Sequence, residues 1–326
     1  MEIQVYKTFE ISDDLWDKIV LSFNESFEQS HMTKKDLISG ATSDSFGYSY
    51  HAVCVDNDRV VGFNSIIPNY YFYNKQKIKM GYSGSTFVIK EYRKNMMILR
   101  DMMKKLEAKC KEDDIKAFLA VPNSNSLLYF KKILKYDDIA ELPYYILPVS
   151  ISKILKKPGL KILDFFIKIF CMVNIFLNKI FSSLFNTRQE KKQYVVDYNT
   201  DFNKNRFSHS RYKTIQKDGI EFSYTIYNED GVKTAYLMDF HQNYIKSRIS
   251  LIKSISHIYF NEDIDAILFI GTMNFFQTVL CKVPAKYEPK KLPLTVKILN
   301  KQDKENFVDY NKIDNWDFSL INFDVR

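Results

Sequence analysis

Glycine and proline are scarce in this chain of 326 residues, 9 and 8 in all, and tryptophan occurs only twice. That scarcity excludes a collagenous or low-complexity chain and leaves few punctuation marks between regular elements. The four cysteines, Cys54, Cys110, Cys171 and Cys281, lie far apart and have no paired metal spacing. No secretory segment precedes them, since the opening MEIQVYKTFEISDDLWDKI is mixed in charge and reads as a strand followed by a helix. A reducing cytoplasm is the expected compartment, with attachment at the inner face of the membrane held open. The histidines His31, His51, His209, His241 and His257 are dispersed, so no metal site is expected and surface or satisfied core roles account for them. The longest uncharged apolar stretch in the most hydrophobic segment, Ile169 to Asn178, is ten residues, too short to span a bilayer.

Aromatics are abundant instead. With 22 Tyr and 26 Phe, 46% hydrophobic and 26% charged residues, the chain can bury the core of two ordinary domains or one large one. The formal net charge is +8, but it is concentrated. Between Ile151 and Lys192 there are nine basic residues against Asp164 and Glu190, a net +7, so the remainder is nearly neutral. Nucleic acid is therefore not an expected partner.

Up to Val149 the pattern reads as an α/β domain, 1–149. Gln4–Tyr6 is a short strand and Asp14–Phe27 a helix; His51–Val55 and Val60–Ile67 are strands around the turn Asp56-Asn57-Asp58-Arg59. Lys79–Val88 is a strand. Arg93–Lys109 carries Met96, Leu99, Met103 and Leu106 at helical spacing. Ala117–Val121 is a short buried strand, and Ser126–Leu134 a helix. Strand, helix, strand, helix behind a meander implies a central sheet covered by helices.

Residues 150–192 form a basic amphipathic linker. After the break at Pro158-Gly159, Lys161, Asp164, Lys168, Cys171, Asn174, Asn178 and Ser182 make one narrow polar stripe in an otherwise apolar helix. Two settings are open: the wide apolar face, with Phe165, Phe166, Phe170, Phe176 and Phe181, packs between domains, or it inserts into an anionic membrane surface. A second strand-rich region, 193–326, follows. Ile220–Tyr227 and Lys233–Phe240 flank a turn, Tyr244–Tyr259 reads as a helix, Ala266–Ile270 as a buried strand, and Lys291–Asn300 and Asp317–Phe323 as later strands.

The chemistry concentrates in GYSGSTFVIKEYRKNMMILRDMMKKLEAKC, Gly81 to Cys110. Here a strand runs into a helix through Lys90, Arg93 and Lys94. Free backbone N–H groups and the positive end of a helix beside basic side chains suit a pyrophosphate; an ordinary turn with solvated charges is the plainer reading. The stretch resembles the acyl-CoA-binding core of the GNAT (GCN5-related) N-acyltransferase superfamily. That family places an Arg or Gln, two residues, a Gly, one residue, and a Gly or Ala between its fourth strand and third helix. Arg93 matches the first position, while Met96 and Ile98 stand where the small residues belong. Ala117–Tyr136, AFLAVPNSNSLLYFKKILKY, resembles the family's fifth strand, its Asn-containing turn and its Tyr-bearing helix.

The resemblance implies a mixed α/β GNAT-like sheet flanked by helices, followed by a second, degenerate GNAT-like domain. It implies acetyl-CoA or another acyl-CoA held by Phe87, Val88, Ile89, Arg93, Lys94, Asn95, Met96, Met97, Ile98, Asn123 and Asn125. Val88 and Ile89 would bond the pantetheine arm. Tyr129 would protonate the departing thiolate, with Phe130 the alternative register. Glu91 stands as candidate base or as a helix cap. Tyr82 and Ser85 on the strand, with Arg206 and His209 in the second half, are candidate acceptor contacts. NKIDNWDFSLINFDVR at the C-terminus resembles the terminal strand of bacterial tandem-GNAT-like proteins of envelope or polysaccharide biosynthesis. The implied reaction is direct attack by an amine of a small, sugar-linked or nucleotide-sugar-like acceptor on the thioester. Two other accounts stay open: an aminoacyl-tRNA-dependent transferase building peptidoglycan bridges, and a catalytically inactive GNAT-like module bound to membranes.

Overall fold

A computed structural model describes residues 1–27, 31–188, 192–207, 211–242 and 245–323. In chain order it places β1 (Glu2–Lys7), α1 (Asp13–Ser26), α2 (Lys34–Ala41), β2 (Tyr50–Asp56), β3 (Arg59–Tyr73), β4 (Gln76–Val88), α3 (Met97–Glu112), β5 (Ile115–Ala120), α4 (Ser124–Lys132), β6 (Asp137–Glu141) and β7 (Tyr144–Pro148). Then follow α5 (Ile151–Ile154), α6 (Lys161–Leu184), β8 (Tyr194–Val196), α7 (Thr200–Arg206), β9 (Lys213–Lys217), β10 (Ile220–Glu229), β11 (Val232–His241) and α8 (Arg248–Asn261). The chain closes with β12 (Ala266–Ile270), β13 (Cys281–Lys282), β14 (Pro293–Ile298), α9 (Lys301–Asn306), β15 (Trp316–Asp317) and α10 (Leu320–Phe323).

The hairpins follow from local chemistry. Tight two-residue turns that match strand twist require positive φ at both central residues, which Asn, Asp and Gly tolerate best. Asn57 and Asp58 (φ 47° and 60°) join β2 to β3, and Asp230 and Gly231 (φ 54° and 81°) join β10 to β11. Asn74 and Lys75 do the same between β3 and β4 at φ 48° and 69°.

The first sheet runs β1-β2-β3-β4-β5-β14-β6, with β8 on the far end of β3 and β15 on β8. The second runs β13-β7-β12-β11-β10-β9. Four strands cross between the halves of the sequence, β8 and β15 among them through their place beside β3. β14 inserts between β5 and β6, while β7 lies between β12 and β13 in the second sheet. The first sheet packs α1, α2 and α3 on one face around Trp16, Phe63, Met102 and Phe118. Its other face meets the second sheet through Tyr71, Met80, Tyr82, Leu119, Tyr236, Met238, Trp316 and Phe318. α6 and α8 cover the outer face of the second sheet.

Two sequence expectations are corrected, and one of the two settings left open for α6 is not observed. Asp317–Phe323 is not a strand: two residues of β15 are followed by the helical turn α10. The helix after the basic junction starts at Met97 because Lys90–Tyr92 first forms a 3₁₀ turn. The apolar face of α6 does not pack between domains. Cys171, Ile175, Asn178 and Ser182 are buried, whereas Phe165, Phe166, Phe170, Phe176 and Phe181 are exposed.

Candidate functional site

β4 and β5 run parallel and are paired from Lys79/Ile115 to Tyr82/Leu119. Beyond Tyr82 the pairing stops. β4 continues to Val88 against β3, while β5 ends at Ala120 and turns through Pro122 and Asn123 into α4. The result is a fork, and among the described residues no strand covers the β4 edge from Ser83 onward.

That edge is shaped by a bulge. The β3/β4 register shifts between Phe63 and Ser65, opposite a stretch in which Ser85 adopts φ 49°. A non-glycine residue held in the left-handed region costs about 1 to 2 kcal/mol, and such residues concentrate where a backbone group must be re-aimed. Asn64, fully buried, holds the bulge: its Oδ1 accepts from Thr86 Oγ1 at 2.7 Å and from Ser83 Oγ at 3.4 Å. Ser85 itself points outward and is exposed.

The junction from β4 to α3 is exposed from Arg93 to Met97. Arg93 is exposed yet tied back to the protein. Its Nε donates to Val88 O at 2.9 Å and its Nη2 to Ser26 O at 3.2 Å, so the guanidinium braces the loop through backbone carbonyls. Phe87 and Ile89 are buried, and the Ile89 amide bonds Val61 O at 3.0 Å, toward β3. Alternation along a strand turns the Val88 groups to the opposite, open edge. Asn95 closes the turn by accepting from the Met97 amide at 3.1 Å. Met96 and Met97 are 52% and 45% exposed, while Ile98 is fully buried in the core. Gly62 on β3 permits that burial, because a Cβ there would come within 3.2 Å of Ile98 Cγ2 and 3.0 Å of Met102 Cε.

Tyr129 of α4 meets this junction from the other arm of the fork: its hydroxyl donates to Met96 O. Burial pushes its pKa up, so it holds its proton at neutral pH. Phe130, the alternative register, is buried in the core and stacks edge-on against Tyr136. The Tyr136 hydroxyl is buried with no hydrogen-bond partner of acceptable geometry among the described residues and lies beside Ser83 at the opening of the fork. Asn123 caps α4, accepting from Ser126 N at 2.9 Å, and Asn125 is exposed on the first turn. Lys94 is exposed and makes no ion pair among the described residues. Glu91 lies in the 3₁₀ turn, exposed, on the side facing Arg59.

The candidate acceptor residues divide. Tyr82 sits at the last paired position of β4, its ring 6.4 Å from Phe323. Arg206 is elsewhere. It is buried against Ser43 (3.4 Å) and near Tyr71, whose partner on β4, Ile78, lies four residues before the fork opens. Its Nε and Nη2 have no hydrogen-bond partner among the described residues. His209 lies outside the described residues. Close to this region is a buried ionic group that sequence inspection did not single out. Lys246 Nζ lies 2.7 Å from Asp317 and 3.7 Å from Asp239, and His241 Nε2 lies 3.5 Å from Asp239. The two carboxylates keep Lys246 protonated against the pull of burial, while burial raises Asp239. Nothing in local spacing signals the cluster, because Asp239 and Asp317 come from distant segments.

In overall structure the chain is similar to a GCN5-related N-acetyltransferase from Anabaena variabilis, with 11% identity, a TM-score of 0.56, and 92% of this chain and 73% of that one covered. It is also similar to one from Kribbella flavida, at 9% identity, TM-score 0.57, and coverage of 91% and 71%. Saccharomyces cerevisiae N-myristoyltransferase with bound myristoyl-CoA aligns with 11% identity, TM-score 0.52, and coverage of 90% and 82%. Neither a protein-family profile nor a curated protein matches the sequence. At such identities the likeness speaks to fold. The protein has an α/β architecture of mixed sheets flanked by helices that resembles the GNAT fold.

Proposed function

We propose that this protein is an acyl-CoA-dependent N-acyltransferase that acylates an amine of a small or sugar-linked acceptor. The observation that carries the reading is the fork between β4 and β5, with a bulged open edge on one arm and Tyr129 of the other arm reaching the β4–α3 junction. The residues present fit the group. The open edge of Val88 offers its backbone amide to an extended pantetheine, its carbonyl being held by Arg93, and exposed Lys94 stands beside the junction. Of the two residues in place of small ones, Met96 is exposed and Ile98 is buried in the core, an arrangement that leaves the backbone approachable. Bound there, acyl-CoA supplies an activated thioester.

The protein's own residues supply position and a proton. The Asn64-braced bulge aims β4 backbone groups into the fork, where a carbonyl oxygen gaining charge can be stabilised. Tyr129 keeps its hydroxyl proton available for a leaving thiolate by exchanging its bond to Met96 O. The helical turn α10, which packs Phe323 against Tyr82 and lies against β11 of the second sheet, borders the other side of the fork and would shape the acceptor's approach.

Calorimetric titration with acetyl-CoA, then with a long-chain acyl-CoA, tests the reading. The wild type is expected to bind at least one of them saturably. Arg93→Ala, which removes two braces from the loop, should weaken binding about tenfold, the equivalent of about 1.4 kcal/mol. Tyr129→Phe should bind within a few-fold of wild type yet turn over on the order of 10²-fold more slowly. Absence of saturable binding of both donors by folded wild-type protein overturns the proposal.

A further inference from the structure

α6 is amphipathic in the inverse sense. Its polar stripe faces the protein and its apolar face looks out. Asp164 accepts from the Ser150 hydroxyl at 2.9 Å and from the Ser152 amide at 2.9 Å, seating the N-terminal end. Further along, Asn174 Nδ2 reaches the carbonyls of Thr278 and Val279 at 3.4 Å. Asn178 Oδ1 accepts from Arg248 Nη2 and Thr278 Oγ1, both at 3.0 Å. These contacts consume the polar side chains in holding the helix down. What remains outside is Phe165 (64% exposed), Phe166 (62%), Phe170 (61%), Phe176 (62%), Phe181 (49%) and Phe185 (67%), together with leucines and isoleucines between them. Single exposed apolar residues are ordinary, but a continuous face of this kind along a helix of 24 residues marks an interaction surface.

The charges around it specify what that surface meets. Lys157, Lys161, Lys168 and Lys179 are exposed and make no ion pair among the described residues. At about 100° per residue, Lys161, Lys168 and Lys179 fall together on one border between the seated stripe and the outward face. That is the position from which a lysine stem lies along apolar surface while its ammonium reaches a headgroup. The second half of the helix borders two adjoining hollows that share Lys179 and Phe260. One, of about 390 Å³, is apolar and lined by Met172, Val173, Ile175 and Phe176. The other, of about 200 Å³, is bordered by Lys217, Lys253, His257 and Asp218. An apolar groove opening beside a basic hollow matches an acyl chain joined to a phosphate.

A second copy of the chain is disfavoured by the same charges. A self-complementary contact through this face would bring like-charged lysine borders together with no acidic row to receive them. No described helix is long and apolar enough to cross a membrane. We infer that the outward face of α6 docks the protein flat on an anionic phospholipid surface, its phenylalanines in the acyl boundary and its lysines at the phosphates. This inference is independent of the acyltransferase reading.

Flotation of the full chain with vesicles tests it. Phosphatidylcholine vesicles should recover little protein, and vesicles with one phosphatidylserine to three phosphatidylcholine at least tenfold more, with binding falling as salt is raised. Phe166→Glu with Phe176→Glu changes only exposed positions and should lose binding at unchanged thermal stability. Lys161→Glu with Lys168→Glu should lose the phosphatidylserine dependence. Equal recovery on both vesicle types, or unchanged binding by the phenylalanine variant, overturns the inference. So does a wild-type dimer in sedimentation that the phenylalanine variant converts to monomer without any vesicle binding, because the face would then be a contact between copies.

Discussion

His51 is fully buried on β2, stacked on Phe63 with ring centroids 5.4 Å apart. Both of its nitrogens are engaged, Nε2 with Thr8 Oγ1 at 2.9 Å and Nδ1 with Ser65 Oγ at 2.8 Å. Two hydroxyls satisfy a neutral ring and no carboxylate compensates a charged one, so burial lowers its pKa to about 3. In the unfolded chain the ring takes up a proton below about pH 6.5. The unfolded state therefore binds the extra proton between those values. The stability carried by neutral His51 is complete above pH 6.5 and is lost as pH falls toward 3, at about 1.4 kcal/mol per pH unit. Urea unfolding across that window should show the slope in wild type, and His51→Gln should flatten it. A wild-type slope retained by the variant would assign the acid sensitivity to other groups. The histidine's place on a strand was legible, with surface and core roles both open; its burial and its two hydroxyl partners, which come from other strands and segments, were not.

At the scale of elements, α6 shows what periodicity does and does not reveal. The narrow polar stripe was visible as residues three and four apart. Which side of the helix faces the protein was not. Apolar faces ordinarily turn inward, and that default fails here because Asn174 and Asn178 find partners in the segment around Thr278 and in Arg248. A polar residue is thus the more stabilising choice at the seat of this helix. Asn178→Leu should destabilise the protein by about 2 to 3 kcal/mol in denaturant unfolding, although it makes the helix more hydrophobic, because it leaves the buried Arg248 without an acceptor. A neutral or stabilising result would show that apolar packing, not hydrogen bonding, holds α6 in place. The β4–α3 junction gives the complementary case. Arg93 was singled out by its position in a motif, yet its side chain serves the loop and not the solvent, since Val88 O and Ser26 O lie within its reach.

At the scale of the whole molecule, the crossing of β7 and β14 ties the two sheets together. Without β14 neither β5 nor β6 has its partner on that edge, and without β7 the strands β12 and β13 lose theirs. Exposed unpaired strand edges are templates for aggregation. Fragments 1–149 and 193–326, each expressed alone, should fail to give dispersed amide spectra, and the intact chain should unfold in one transition. Independent folding of either fragment would show that the exchanged strands are dispensable.

The sequence by itself determined the local elements. Apolar periodicity set the helix α3, turn-forming residues set hairpins, and the segments around Arg93 and Tyr129 resembled part of the GNAT fold. These depend on neighbours in the chain, whose spacing can be read directly. Tertiary structure alone decided that β14 returns to the first sheet, that Tyr129 reaches Met96 O, that Lys246 joins Asp239 and Asp317, and that α6 wears its apolar face outside. Each of those depends on residues far apart in the chain meeting in space, and on which partners are left to satisfy a buried polar group.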